Sequence, residues 1–390
     1  MVNELTLSEL KTVIASMYGS LALSTITPQT IMNQTANVLN QLGLMVTIRG
    51  NYVDRLPEMD GPELPLGKTI EEYFMQLPKI LDQDRDGSED GTPADPHFLA
   101  AYFSYSLDKK RIKITRRWDE YEEACFKEEQ FLQFIAEIEI AINNSHTVYV
   151  YGLKRQLIGK GIALIDSIYS TSAGSQAADG QTVKAYVAAS AASLELGDYV
   201  IHPSDSTVRG IVTVKKGEIA NNTTWADAVA AGYITVFDLY ASVAKPTDAE
   251  SGEALIEQVL NDLEIASDNS QGHALNGATI GATENLKLYV PFGLNSVLAV
   301  KVKAGAFHRD ELNLAADVTA LPDYGDYNGD VWAVLCDSRM FVMFLGYQST
   351  RVRENADGDF INYVRHVRYT PFMSRSTFIR LYKQPAAPAS

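Results

Sequence analysis

The chain has 390 residues, of which 46% are hydrophobic and 21% charged, and its formal net charge is −16. These values are typical of a folded protein with two or three domains. They exclude a protein that grips nucleic acid with its whole surface, because phosphate contacts need Lys and Arg, although an acidic protein can still enclose DNA. The two cysteines, Cys125 and Cys336, lie far apart, which excludes a disulfide scaffold and favours a reducing compartment.

Nothing in the sequence indicates secretion or a membrane. The first residues, MVNELTLSELK, contain an early acid and no basic region before an apolar run. No stretch of 18 apolar residues occurs. We therefore expect neither a signal peptide nor a membrane span.

The first 49 residues predict two short helices. Thr6 and Glu9 have capping-box spacing, and Thr27 and Pro28 form a good helix start. Both helices are brief and only mildly apolar. We therefore interpret residues 1–49 as an arm rather than a core.

Residues 50–118 predict a long projecting β-hairpin. Ile112 and Ile114 alternate with Lys113 and Thr115, which is the pattern of a strand. The segment DQDRDGSEDGTPAD, residues 82–95, is acidic and rich in turn residues, and it would form the tip. An isolated hairpin is marginally stable, so we expect it to pack on a neighbouring subunit.

The longest predicted element is helical and covers residues 126–165. Five apolar side chains recur there at spacings of three and four, which predicts one buried stripe. They are Phe131, Phe134, Ile135, Ile138 and Ile142. Asn143, Asn144 and Ser145 interrupt the stripe, and Ser145 is a plausible new N-cap. We therefore predict a bend or restart there, with the two helices together spanning roughly 50 Å.

The rest of the chain divides by composition. Residues 170–250 contain two polar linkers around short predicted strands, at 199–201, 210–215 and 233–239, and a small helix near 225–230, which suggests a small inserted β-rich domain. Residues 251–335 alternate helix and strand. Residues 336–383 predict antiparallel closing strands, and residues 384–390 predict a flexible tail.

Two motifs approach known ligand sites without matching them. Residues 61–69, GPELPLGKT, have five residues between the glycines where a phosphate-binding loop has four, and the two prolines remove backbone donors. Asp82, Asp84 and Asp86 copy the start of a calcium loop, but its twelfth position is Pro93 instead of Glu. These three carboxylates remain weak metal candidates, and an acidic, solvated hairpin tip is the preferred interpretation.

No catalytic motif accompanies them. The six histidines lack metal-ligand spacing, and neither cysteine has a second one nearby. We therefore predict no catalytic residue and no cofactor. Residues 339–383 are locally basic, with six arginines on predicted strands: Arg351, Arg353, Arg365, Arg368, Arg375 and Arg380. This face is either simply solvated, or it meets acidic neighbours such as residues 82–95, or packaged phosphate.

The order of these parts resembles the major capsid proteins of tailed bacteriophages with the Hong Kong 97-type fold, and within them the phi-29-like podophage group. Residues 65–72, PLGKTIEE, resemble the start of that group's E-loop. Residues 252–263 with 286–314 resemble its A-domain. Residues 331–382, including Leu335, Asp337 and Phe341, resemble its closing region. We expect residues 175–245 to be an insertion relative to the group, and we expect no counterpart of the C-terminal immunoglobulin-like domain of the phi-29 protein.

The resemblance implies an α+β fold with named parts. These are an N-terminal arm (1–49), an E-loop hairpin (50–118), the spine helix of a P-domain (119–169), a linker and insertion domain (170–250), an A-domain (251–335) and closing P-domain strands (336–383).

The function that the resemblance implies is that of a major capsid protein. Copies would assemble as hexamers and pentamers into an icosahedral or prolate shell around double-stranded DNA, which they would contact non-specifically. Assembly would occur in the host bacterial cytoplasm, with portal and scaffolding proteins as partners and no membrane. The residues expected at assembly interfaces are Leu64, Leu66, Lys68, Phe98, Tyr102, Phe103, Tyr105, Arg351, Arg353, Arg365 and Arg368. Two alternatives are an encapsulin-like compartment shell and a metal-dependent α/β enzyme.

Overall fold

A computed structural model describes residues 4–5, 47–48, 52–64, 70–75, 98–103, 109–117, 128–267, 273–277, 286–294, 317–355 and 358–385. These residues form helices α1 (Glu128–Ser170), α2 (Trp225–Ala230) and α3 (Ala249–Ser267). The strands are β1 (Glu4–Leu5), β2 (Thr47–Ile48), β3 (Asp60–Glu63), β4 (Ile70–Met75), β5 (Phe98–Phe103), β6 (Lys110–Arg117), β7 (Val183–Ala185), β8 (Tyr199–Ile201), β9 (Arg209–Val212), β10 (Ile234–Val236), β11 (Tyr240–Ser242), β12 (Leu286–Pro291), β13 (Asp317–Leu321), β14 (Val331–Asp337), β15 (Phe341–Asn355), β16 (Phe360–Met373) and β17 (Ile379–Lys383).

The chain folds as two compact units. One contains Met1–Thr69, Ser104–Lys154 and Met343–Pro371. The other contains Ile70–Phe103, Arg155–Val342 and Phe372–Ser390. Among the described residues, no helix is both long and apolar enough to cross a membrane. The two predicted N-terminal helices lie outside the described residues, and of residues 1–49 the structure describes only the short parallel pair of β1 and β2.

Helix α1 is uninterrupted for 43 residues, which corresponds to about 65 Å at 1.5 Å per residue. The predicted restart at residues 143–145 is therefore wrong. The Asn143 side chain accepts a hydrogen bond from the Arg365 guanidinium, and the Asn143 carbonyl accepts one from the Thr147 hydroxyl at 3.0 Å. Ser145 is exposed. These polar side chains find partners or solvent without unwinding the backbone.

The first unit is built on a four-stranded sheet in the order β3–β15–β16–β6. β6 pairs antiparallel with β16, so that Ile112 lies opposite Arg365 and Ile114 opposite Tyr363. Alternate residues of β16, including Ile361, Tyr363 and Val367, are buried. The period of two gives this sheet one buried face and one open face.

Part of the predicted hairpin is paired. β4 and β5 are antiparallel partners, with Ile70 opposite Phe103 and Met75 opposite Phe98. The flanking strands are not paired with each other, because β3 joins β15 and β6 joins β16. The part of the predicted hairpin that follows the acidic tip thus consists of two strands, β5 and β6, which belong to different sheets. The acidic segment 82–95 lies outside the described residues.

The second unit contains a five-stranded mixed sheet in the order β11–β17–β14–β12–β13. Helix α3 packs Leu255 and Val259 into a core with Leu288 and Leu335. The predicted closing segment 336–383 therefore serves two sheets, since β15 and β16 join the first and β17 joins this one. β13, which pairs parallel with β12, was not expected from the sequence.

A smaller four-stranded sheet, β10–β9–β8–β7, lies within the same unit and has its own core around α2. The strands predicted near 199–201, 210–215 and 233–239 and the helix near 225–230 are present, so these predictions are confirmed. β11, by contrast, pairs with β17. The sheet therefore ends at Val236, inside the segment 170–250 that the sequence suggested.

Two glycines let other segments lie against α1. A Cβ atom added to Gly159 would lie 2.0 Å from the Tyr324 carbonyl oxygen. One added to Gly161 would lie 2.5 Å from the Phe341 ring. The close packing of the 321–327 turn and of β15 on this helix therefore requires the absence of a side chain at both positions.

Candidate assembly surfaces

The open face of the first unit's sheet is strongly basic. Register places Arg111, Lys113 and Arg117 opposite His366, Val364 and Phe360, which lie on the side of β16 away from its buried residues. On β15, Thr350 is buried beside Arg365, so its neighbours Arg351 and Arg353 belong to the open face. We call this surface the basic face: Lys109, Arg111, Lys113, Arg117, Arg351, Arg353 and Arg368.

Local contacts on the basic face hold neutral groups between the cations. The Thr115 hydroxyl donates to Asn362 Oδ1 at 2.7 Å, and Lys109 Nζ lies 3.8 Å from the centre of the Tyr347 ring. A hydrogen bond with Ser349 lowers the pKa of Tyr347, and the positive charges of Lys109 and Arg351 add to this effect. Within the part of the chain that the structure describes, no carboxylate forms an ion pair with these seven cations.

Arg365 was expected at an interface but is buried, with 2% of its surface exposed. Its guanidinium binds the Glu139 carboxylate and the Asn143 side chain of α1. Burial raises the pKa of Glu139, and the neighbouring Arg365 opposes that effect. We therefore assign Arg365 to the link between β16 and α1 within one subunit rather than to a surface.

A second buried cation lies on α1 itself, nearer its middle. The Lys154 side chain is fully buried and binds Asp54, the Leu56 carbonyl at 2.6 Å and Asp60 at 2.8 Å. This lysine therefore ties the segment before β3 to the helix. The charges of Arg365 and Lys154 are thus both balanced by carboxylates, because an unpaired charge in the low-dielectric interior is costly.

The hairpin of β4 and β5 carries several of the other predicted interface residues. Phe98, Tyr102 and Phe103 lie on β5, opposite Met75, Glu71 and Ile70. The Glu72 carboxylate accepts hydrogen bonds from the Ser374 and Ser376 hydroxyls and from the Arg375 amide at 3.0 Å. The base of the hairpin is thus fastened to the turn that follows β16.

Of the remaining predicted residues, Leu64 donates its amide to the Leu345 carbonyl at 2.9 Å. Leu66, Lys68 and Tyr105 lie outside the described residues, as do the metal candidates Asp82, Asp84 and Asp86. Among the residues that the structure describes, no group of His, Cys, Asp and Glu has the geometry of a metal site.

Sequence reasoning missed the largest contribution to the basic face, which comes from β6. The signal was the run KKRIKITRR, residues 109–117, in which basic side chains alternate with Ile112 and Ile114. That alternation predicted a strand. Which side of the strand stays open, however, depends on its pairing with β16, where Thr115 contacts Asn362, a residue 247 positions later in the sequence.

Comparison with solved structures shows which known proteins have a similar fold. A capsid structure of Staphylococcus phage Andhra is similar with a TM-score of 0.54 and 10% identity, over 88% of this chain and 89% of that one. The mature capsid of bacteriophage PhiM1 is similar with a TM-score of 0.48 and 10% identity, over 88% and 90%. Curated protein sequences give no match. The mixed α+β fold is thus the Hong Kong 97-type capsid fold.

The sequence itself places the chain more narrowly. The profile of the family described as Phi29-like phage major capsid protein matches residues 20–380. The chain therefore belongs to that family, and it is a phage capsid protein that forms the shell of the virion. This result confirms the predicted class, and it favours neither the compartment shell nor the metal-dependent enzyme.

Proposed function

We propose that copies of this chain assemble as hexamers and pentamers through their basic faces, each of which receives the acidic segment 82–95 of a neighbouring subunit. The observation that carries the proposal is the basic face itself, where seven cations lie together without a carboxylate partner among the described residues. A surface of one sign attracts a segment of the opposite sign and sets its orientation. Packaged DNA phosphate is the second candidate for the same face.

In the sequence, the acidic segment lies between the two paired strands β4 and β5. β4 and β5 flank residues 76–97, which include the acidic segment, and Glu72 holds the base of β4 in place. Phe98, Tyr102 and Phe103 on β5, together with Leu64, Leu66, Lys68 and Tyr105, are the proposed contacts along the arms. Obligate interfaces of this kind bury more than about 2,000 Å² and are largely apolar.

Reversing charge on the basic face tests the proposal. We expect Arg351→Glu combined with Arg353→Glu to abolish closed shells in electron micrographs, and Asp84→Lys combined with Asp86→Lys on the same chain to restore them. Lys216→Glu is the control, because Lys216 is exposed and, among the described residues, forms an ion pair with Glu195 at 2.7 Å. Shells that form normally but hold less DNA would instead assign the face to packaged phosphate.

The remaining parts of the proposal concern partners and place. We propose that the chain is not an enzyme, that portal and scaffolding proteins assist it, and that assembly takes place in the host bacterial cytoplasm. The sheet β7–β10, with its own core, is proposed as an insertion on the outside of the shell.

Titration with Ca²⁺ and Mg²⁺ tests the acidic segment, since saturable binding that depends on Asp82 and supports turnover would contradict the non-enzymatic assignment.

A further inference from the structure

A cleft of about 590 Å³ opens where the end of α1 meets strands β8 and β9. The helix end contributes Tyr169 and Ser170, strand β8 contributes Ile201, and the turn between β8 and β9 contributes Ser206 and Thr207. The serine and threonine residues are exposed, whereas Arg209, which also lines the cleft, is buried with 5% of its surface exposed. The cleft is therefore open to solvent, and the buried Arg209 is one of the residues that line it.

The Arg209 guanidinium is incompletely satisfied. Its NH2 group donates to the Tyr169 carbonyl at 2.9 Å. Its Nε and NH1 atoms are buried and have no hydrogen-bond partner among the described residues, and no described carboxylate forms an ion pair with it. Burial accordingly lowers the pKa of Arg209. A buried, unpaired cation is costly, and most buried polar groups in folded proteins have partners.

Asp205, in the loop between β8 and β9 that precedes Arg209, does not compensate for this charge. Asp205 is exposed and accepts hydrogen bonds from the Thr207 hydroxyl at 2.6 Å and the Thr207 amide at 2.9 Å. Asp205 does not line the cleft. Ser170, Ser172 and Ser206 do line it, and serine hydroxyls can donate to an anion.

We propose that this cleft binds an oxyanion, which Arg209 holds with the surrounding serine hydroxyls. Charge-assisted hydrogen bonds from a guanidinium to phosphate or carboxylate are the strongest that this set of donors can form. The oxyanion comes either from free phosphate or from a carboxylate group. The site lies within one chain and does not depend on the proposed assembly contacts.

Titration of the unassembled full-length chain with inorganic phosphate tests the proposal, with acetate as a second arm and ionic strength held constant with chloride. We expect saturable binding by calorimetry and a rising unfolding temperature, because a ligand that binds only the folded state stabilises it. Saturation by phosphate alone or by acetate alone supports the site and identifies the source of the anion.

Variants decide whether Arg209 is responsible. We expect Arg209→Met to raise the dissociation constant at least about tenfold, as loss of one charge-assisted hydrogen bond implies, and Arg209→Lys to raise it less. Lys216→Met, which removes an exposed cation from the same sheet region, leaves binding unchanged. Absence of saturable binding by either anion overturns the proposal, and so does equal binding by Arg209→Met and the unmodified chain.

Discussion

Single residues decide how closely other segments approach helix α1. Gly159 and Gly152 lie on the same helix, but only Gly159 faces backbone, the Tyr324 carbonyl, whereas no described atom lies within 4 Å of a Cβ added to Gly152. Sequence alone does not separate them, because helix propensity penalises both glycines equally. The difference arises from tertiary contact with the turn at residues 321–327.

The two glycines therefore predict opposite effects. Gly159→Ala should destabilise the protein by about 1–3 kcal/mol, because the clash is with backbone and cannot be relieved by a rotamer change. Gly152→Ala should stabilise it by up to about 1 kcal/mol through helix propensity. Denaturant unfolding of the two variants beside the unmodified chain measures both changes. Equal shifts of the same sign would contradict the assigned packing.

A second prediction at this scale concerns acid. The pKa of His146 is lowered to about 4, first by burial and then by the positive charge of Arg365. Nε2 of His146 lies 2.6 Å from the Tyr369 hydroxyl. As pH falls from about 6.5 towards 4, the unfolded chain binds a proton that the folded chain does not, so stability is lost across that window by at most about 1.4 kcal/mol per pH unit.

His146→Gln should flatten this dependence while keeping a polar partner for Tyr369. The unfolding midpoint of the variant should change less between pH 7 and pH 4.5 than that of the unmodified chain. An identical pH profile in the two proteins would assign the acid sensitivity to other groups.

At the scale of elements, the C-terminal half of α1 is held by one carboxylate. Asp166 binds Tyr240 on β11, Tyr327 in the 321–327 turn at 2.5 Å, and Lys383 on β17 at 2.9 Å. Burial acts to raise the pKa of Asp166, but the hydrogen bonds from Lys383, Tyr240 and Tyr327 together outweigh it and lower the pKa. One side chain thus joins the helix to three other segments.

Asp166→Asn should therefore destabilise the second unit by about 2–3 kcal/mol, since hydrogen bonds to a charged group are worth more than neutral ones. The matched control is Asp326→Asn, because Asp326 is an exposed acid beside the same turn. Thermal unfolding compares the two. A loss of stability in the control as large as in Asp166→Asn would show that Asp166 has no special role.

Elements were predicted from sequence where local pattern determined them. The stripe of Ile135, Ile138 and Ile142 predicted α1, and the strand at residues 199–201 agrees with β8. The predicted break at Asn143 failed because Arg365, 222 residues away, supplies the Asn143 side chain with a partner. The predicted extent of the hairpin was wrong for the same reason. β3 and β6 pair with β15 and β16, and no local sequence pattern indicates that pairing.

For the whole molecule, the net charge is negative, whereas the basic face is locally positive. The chain carries −16 overall, yet the basic face is a concentrated positive surface. Composition predicts that the chain does not grip nucleic acid with its whole surface, and this stays a prediction; composition also could not locate a surface with the opposite sign. Locating that surface requires the register of β6 on β16.

Assembly through such a surface should depend on salt. Raising NaCl from about 0.05 M to 0.5 M shortens the range of exposed charge interactions, so the amount of shell that forms should fall several-fold. The Lys216→Glu control should show the same dependence. Light scattering and electron microscopy measure the yield, and a yield that does not change with salt would argue against electrostatic contact through the basic face.

The position of β17 has a consequence for synthesis. β17 lies between β11 and β14, and Tyr240 pairs with Leu381. The ribosome must therefore add about 140 residues after β11 has been synthesised before the partner strand β17 exists. At about 5–20 residues per second, this delay is roughly 7–30 s. During that time β11 has no partner strand and the apolar core of its sheet is incomplete. We therefore expect chaperones to bind the nascent chain until Lys383 has left the ribosome.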